Sequence, residues 1–104
     1  MEPQMKATTR TALGAVSDPA PATQAIQSNV ELVKKDVEEK LGRTFSVYQA
    51  TQFCTQTVNG YKYFVKVDVG NSEFIHLELY KPINGQLSLL IVEDKKSESD
   101  PLKK

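Results

Sequence analysis

From Thr23 to Leu41 the strongly apolar positions are Ile26, Val30, Val33, Val37 and Leu41, separated by 4, 3, 4 and 4 residues. That spacing lays one apolar stripe along a helix, with Gln27, Glu31, Lys34, Lys35, Glu38 and Glu39 on the other faces. Gly42 is the expected stop, because a left-handed residue closes the last turn most cheaply when it lacks a Cβ. Three of the stripe residues are valines, weak helix formers, so packing rather than propensity must hold this element.

After Gly42 the period changes to two. Tyr61, Tyr63, Val65, Val67 and Val69 alternate with Lys62, Phe64, Lys66 and Asp68, the pattern of a half-buried strand. Ile75, Leu77 and Leu79 alternate with His76, Glu78 and Tyr80 in another, and Leu87, Leu89 and Ile91 mark a third. Phe45 to Thr57 is rich in β-formers but keeps phase poorly, which predicts a strand with a bulge. Asn59-Gly60, Gly70-Asn71-Ser72 and Asn84-Gly85 separate these runs. Asn-Gly between alternating segments is a strong hairpin signal, since both residues tolerate positive φ. The residues therefore predict an α+β chain, one long helix packed on a four-strand antiparallel meander.

Counting reversals along that meander places three remote segments at one end of the sheet. The helix begins where the Asn59-Gly60 turn and the turn from Pro82 to Gly85 lie, so the segment around Leu13-Gly14 emerges on the same rim. Val58, Ile83 and Leu13 would put apolar groups there, and loops carried by a rigid sheet are natural recognition elements. The arrangement suggests a wedge for an apolar cleft in a partner.

Composition narrows the rest. The 104 residues have room for one domain, and the formal charge is zero, with 13 Lys+Arg against 13 Asp+Glu. A balanced surface gives no electrostatic footprint for nucleic acid. The longest apolar run, Leu89 to Val92, is far short of the roughly 20 residues of a membrane span. One cysteine makes no internal disulfide, and Met1 to Met5 lacks the basic end and apolar stretch of a signal peptide, so a cytoplasmic protein is expected. Residues 1–12 read as a flexible extension, 13–92 as the folded domain, and 93–104, with four basic and four acidic residues, as a solvated charged tail.

Gln56-Thr57-Val58-Asn59-Gly60 matches the Gln-x-Val-x-Gly hairpin motif of the cystatins at every fixed position. It follows a helix and a long strand, with an isolated Gly14 upstream and a second turn downstream. Tyr63-Phe64-Val65-Lys66-Val67-Asp68-Val69-Gly70 and Phe74-Ile75-His76-Leu77 are similar to the stefins, or type 1 cystatins, and the missing disulfides fit that branch. The resemblance covers about Gly14 to Val92. It implies a cystatin-like fold, with a helix on the concave face of a curved sheet and a short strand before the helix raising the count to five.

The resemblance further implies a reversible, tight-binding inhibitor of papain-like cysteine proteases such as cathepsins, needing no cofactor. The stefin glycine carries over to Gly14, with Leu13 offered to an apolar substrate pocket. The first hairpin carries over to Gln56, Thr57, Val58, Asn59 and Gly60, and the second falls at Lys81, Pro82, Ile83 and Asn84. Three features depart from the pattern: about a dozen residues precede Gly14, the second hairpin is about three residues shorter, and the end at Lys104 lacks a terminal aromatic. Cystatin-like chains can also exchange the helix and first strands between protomers when the first hairpin opens, and Val58 in that turn favours the opening, so a swapped dimer is a second expectation beside the monomer.

Other chemistry is thinly represented. Cys54 and His76 fall on different strands with no third group, so they read as a half-buried thiol and a strand histidine facing solvent or helix. One Cys and one His fall short of a metal-ligand set. The competing functional class is a cystatin-fold interaction or small-ligand-binding domain without inhibitory activity.

Overall fold

The structure, a computed structural model, describes residues 14–102. The described part begins as an edge segment and short strand β1 (Ala20–Pro21), then turns into the helical region. Thr23 starts it, its Oγ1 accepting from Ile26 N at 3.2 Å, which satisfies one of the orphan donors of the first turn. Gly42 ends it at φ 67°, and Arg43 N donates to Glu38 O at 3.1 Å, as the expected left-handed stop requires.

Between those caps the single long helix is broken into α1 (Gln24–Leu32) and α2 (Lys34–Leu41). The break is at Val33, with φ −104° and ψ 8°. It has a packing reason: α1 lies against β2 (Gln49–Val58) and α2 against β5 (Ser88–Lys96), so the helical region crosses the sheet from one side to the other. The stripe survives the break, because Ile26, Val30, Val33 and Val37 are all buried. A β-branched residue, already a poor helix former, loses least by leaving helical geometry.

The sheet has strand order β1-β2-β3-β4-β5, antiparallel throughout, with β3 (Gly60–Asp68) and β4 (Phe74–Lys81) between the strands already given. The expected bulge is present, as a register shift between Ala50 and Gln52 against β3. Val65, Val67, Ile75, Leu77 and Leu79 meet the helical stripe in one core with Phe45, Tyr48, Ala50 and Val69. Gln27 is the polar member of this interface. Its amide donates to Tyr48 O at 3.0 Å and accepts from Ala50 N at 2.7 Å, so the strand at the bulge is tied to α1. Tyr48 donates in turn to Val30 O at 2.9 Å.

Two sequence expectations are corrected. Residues 93–102 are not a solvated tail: β5 runs to Lys96, and residues 97–102 return across the face of the sheet opposite the helices. Ser97 N donates to Asp100 Oδ2 at 2.7 Å, curling the segment back. Lys66 Nζ then donates to Glu98 O and Asp100 O, which is why a lysine on the expected polar side of β3 is only 3% exposed. His76 faces neither solvent nor the helices but lies buried on this outer face, opposite Lys66 and near Glu93. The first hairpin forms at Asn59-Gly60 as expected, with Asn59 alone between β2 and β3. Of its two residues Gly60 alone has positive φ, at 116°, while Asn71 and Ser72, two of the three left-handed non-glycines among the described residues, sit at the opposite end of the sheet. Among the described residues no helix is long and apolar enough to cross a membrane.

Candidate functional site

The rim begins with an upstream segment zipped onto the end of β2. Gly14, at φ 88°, donates its N–H to Thr57 O at 2.9 Å, and its carbonyl accepts from Gln56 Nε2 at 2.6 Å. Val16 bridges to Gln56, and Ser17 exchanges bonds with Thr55: Ser17 N donates to Thr55 O at 2.8 Å, and Thr55 N to Ser17 Oγ at 2.9 Å. A Cβ on Gly14 would meet nothing within 4 Å, so its backbone angle, not crowding, calls for glycine there. Leu13, the expected apolar finger, lies outside the described residues.

The first hairpin is held from the other side. Val58 pairs with Gly60, leaving Asn59 as the one residue between β2 and β3. A Cβ on Gly60 would lie 2.5 Å from Lys81 O and 2.9 Å from Pro82 Cα, so the backbones of the two hairpins pack directly together. The Tyr80 hydroxyl donates to Asn59 O across the same junction. Val58 is half-buried and Asn59 exposed.

In the second hairpin Gly85 N points back to Pro82 O at 3.4 Å, which leaves Ile83 and Asn84 at the corners. Ile83 is 68% exposed, the larger apolar offering on the rim. Beside it Tyr61, also exposed, stacks on Tyr63 with ring centroids 6.5 Å apart. Burial, and then Tyr61, push the Tyr63 phenol above its ordinary value. Of the residues singled out from the sequence, only Lys81 is charged. Such a surface offers apolar side chains and backbone hydrogen-bonding groups.

Cys54 and His76 do not form a reactive pair. Cys54 lies opposite Phe64, buried, and desolvation followed by the charge of Asp18 pushes its thiol up, away from the reactive thiolate. Both ring nitrogens of His76 are buried, without a hydrogen-bond partner among the described residues. Burial first, then the charges of Lys66 and Lys96, hold its pKa below the ordinary value. Among the described residues no group of three or more His, Cys, Asp and Glu is placed to hold a metal ion.

The fold thus brings Gly14, both hairpins and their apolar residues together. It also recruits residues the sequence reading passed over: Val16, Ser17, Thr55, Tyr61 and Tyr80. Tyr80 was legible only as a member of the polar phase of β4. Its reach to Asn59 depends on the β3–β4 register, in which it sits opposite Lys62.

Comparison with known proteins bears on this arrangement. Residues 14–99 match the model of the cystatin domain. The chain is 37% identical over 92 residues to cystatin-B of Oplegnathus fasciatus, covering 86% of this chain and 92% of that one. It is 38% identical over 79 residues to human cystatin-A, covering 76% and 81% respectively. Cystatin-A2 of Dictyostelium discoideum is 36% identical over 92 residues, covering 88% and 96%.

Proposed function

The chain belongs to the cystatin family, in its stefin branch, a family of cysteine protease inhibitors rather than enzymes, and from that premise we propose that it is a reversible, tight-binding inhibitor of papain-like cysteine proteases such as cathepsins. Leu13 and Gly14 occupy one side of the active-site cleft. Gln56 to Gly60 enters its middle, and Lys81 to Asn84 its other side. The target's catalytic thiolate is blocked without being offered a peptide bond in attack geometry, because the hairpin backbones turn away at their tips.

The observation that carries this reading is the direct packing of the two hairpins, with no room for a Cβ at Gly60 between Lys81 O and Pro82 Cα. Three segments from remote parts of the chain form one pre-ordered edge, so little conformational entropy is lost when it docks. Val58 and Ile83 supply the apolar contact, each worth about 1–2 kcal/mol when fully buried. Gln56 acts from behind: its amide is committed to Gly14 O, so it orders the upstream segment rather than reaching outward.

Titration of papain and a cathepsin, followed with a small fluorogenic peptide, tests the proposal. Stoichiometric, reversible loss of activity with the chain recovered uncut is expected. Gly60→Val should force the hairpins apart and weaken inhibition more than folding; unchanged inhibition would remove the first hairpin from the mechanism. A chain starting after Gly14 reports what the upstream segment contributes. No inhibition at micromolar protein, with the fold intact, would favour a non-inhibitory interaction domain.

A further inference from the structure

We propose that Tyr80 is a positioning residue, whose hydroxyl seats the tip of the first hairpin in the geometry needed for docking; the proposal rests on the inhibitory reading above. Asn59 is the one residue between β2 and β3 that belongs to neither strand, and it is exposed. A hairpin tip of this kind is the part of a sheet with most freedom, since the ladder holds its neighbours but not itself. Its carbonyl accepts from the Tyr80 hydroxyl. The donor, by contrast, sits in β4, with Lys62 of β3 opposite on one side and Ser88 of β5 on the other.

The three residues that end β4 and follow it act on the tip together. Tyr80 holds Asn59 through its side chain, while Lys81 O and Pro82 Cα stand where a Cβ of Gly60 would be. The backbone contact sets how close the hairpins come. It does not stop Asn59 from swinging across the rim, because a stacked backbone has no directional bond. The phenol supplies that direction: one O–H aimed at one carbonyl, from a ring whose strand has a partner on each side. A phenylalanine would pack in the same place and leave the carbonyl to water. The hydroxyl therefore contributes pre-organisation of the tip, not core stability, and it does so without touching the protease.

The test compares the wild-type chain with Tyr80→Phe by three readouts: thermal melting, backbone 15N relaxation of the free protein, and the Ki for papain. A net hydrogen bond of ordinary strength corresponds to about a two- to tenfold rise in Ki. We expect that rise, together with lower order parameters at Asn59 and Gly60 alone and a nearly unchanged melting temperature. Unchanged tip order with unchanged Ki would overturn the proposal. So would a raised Ki with the tip as ordered as before, since Tyr80 would then be contacting the protease itself. If the wild-type chain fails to inhibit papain, the inhibitory reading falls. The relaxation data would still decide whether Tyr80 holds the hairpin.

Discussion

The two faces of the sheet bury similar residues by different means. On the helix side, Val65, Val67, Ile75, Leu77 and Leu79 meet a covalently continuous partner whose stripe matches theirs, and the buried amide of Gln27 has both its donor and its acceptor paired. On the outer side, Cys54, Phe64, Phe74, Lys66 and His76 are buried as well, and among the described residues their cover includes the short segment after Lys96. Lys66 holds that segment through two backbone carbonyls, and among the described residues His76 has no hydrogen-bond partner, its nearest carboxylate oxygen being Glu93 Oε1 at 3.8 Å. The difference shows how a small domain divides its labour. One face carries the cooperative core; the other is closed by a strap that the Lys66 ammonium holds by its backbone carbonyls. A buried polar group is neutral to stability when satisfied and costly when not, so the faces should respond differently to the same insult.

The sharpest way to break this comparison is at Leu77. Leu77→Ala should cost about 2–5 kcal/mol, because the packed helical stripe cannot collapse into the space. Urea unfolding measures it, through a lower midpoint at an unchanged slope. Next comes Gln27→Leu, which leaves Ala50 N–H and Tyr48 C=O facing an apolar side chain. Each group left unpaired costs about 1–3 kcal/mol, and hydrogen exchange at Ala50 should accelerate in parallel. Ending the chain after Ser97 removes both carbonyl acceptors of Lys66 but also admits water to it. The loss should stay at about 1–2 kcal/mol, by the net worth of such bonds. A loss as large as that of Leu77→Ala would mean that the strap is core in all but name.

The smallest expected effect is a pH dependence confined to the outer face. His76 is surrounded by Lys66 on β3, Glu93 and Lys96 on β5, and Asp100 on the strap, and its folded pKa lies below the ordinary 6.5. The unfolded chain therefore takes up the proton first as pH falls. This contribution to stability is complete above about 6.5 and is lost as pH drops from there through the depressed folded value. Melting temperatures measured from about pH 7.5 to 5.5, above the range where carboxylates titrate, should fall for the wild-type chain and flatten in His76→Gln. An equal slope in both would show that the imidazole is not what makes the outer face sensitive.

The helical stripe from Ile26 to Leu41, the alternation of β3 and β4, the Gly42 stop and the bulge near Ala50 were all legible, since each is written in neighbouring residues. The rim was legible too, because reversals can be counted and the Gln56–Gly60 motif is local. The burial of Phe64, Lys66 and His76 was not, since charged, serine-rich sequence after Lys96 is what a solvated tail looks like. Whether such a segment returns to the sheet depends on a lysine 32 residues away from Glu98 finding its carbonyl. The break at Val33 has no local mark beyond a β-branched residue, because its cause is the crossing from β2 to β5.

By itself, then, the sequence determined which residues are apolar together, where the chain must turn, and which segments share an end of the sheet. These follow from periodicity and from the conformational limits of glycine and valine, which act within a few residues. Tertiary structure alone decided that Gly60 abuts Lys81 and Pro82, that Tyr80 reaches Asn59, and that the strap closes over His76. Such contacts depend on strand register and on which of several exposed carbonyls a distant donor meets. Those choices are set by the packing of the whole chain, since no local preference distinguishes one backbone carbonyl from another.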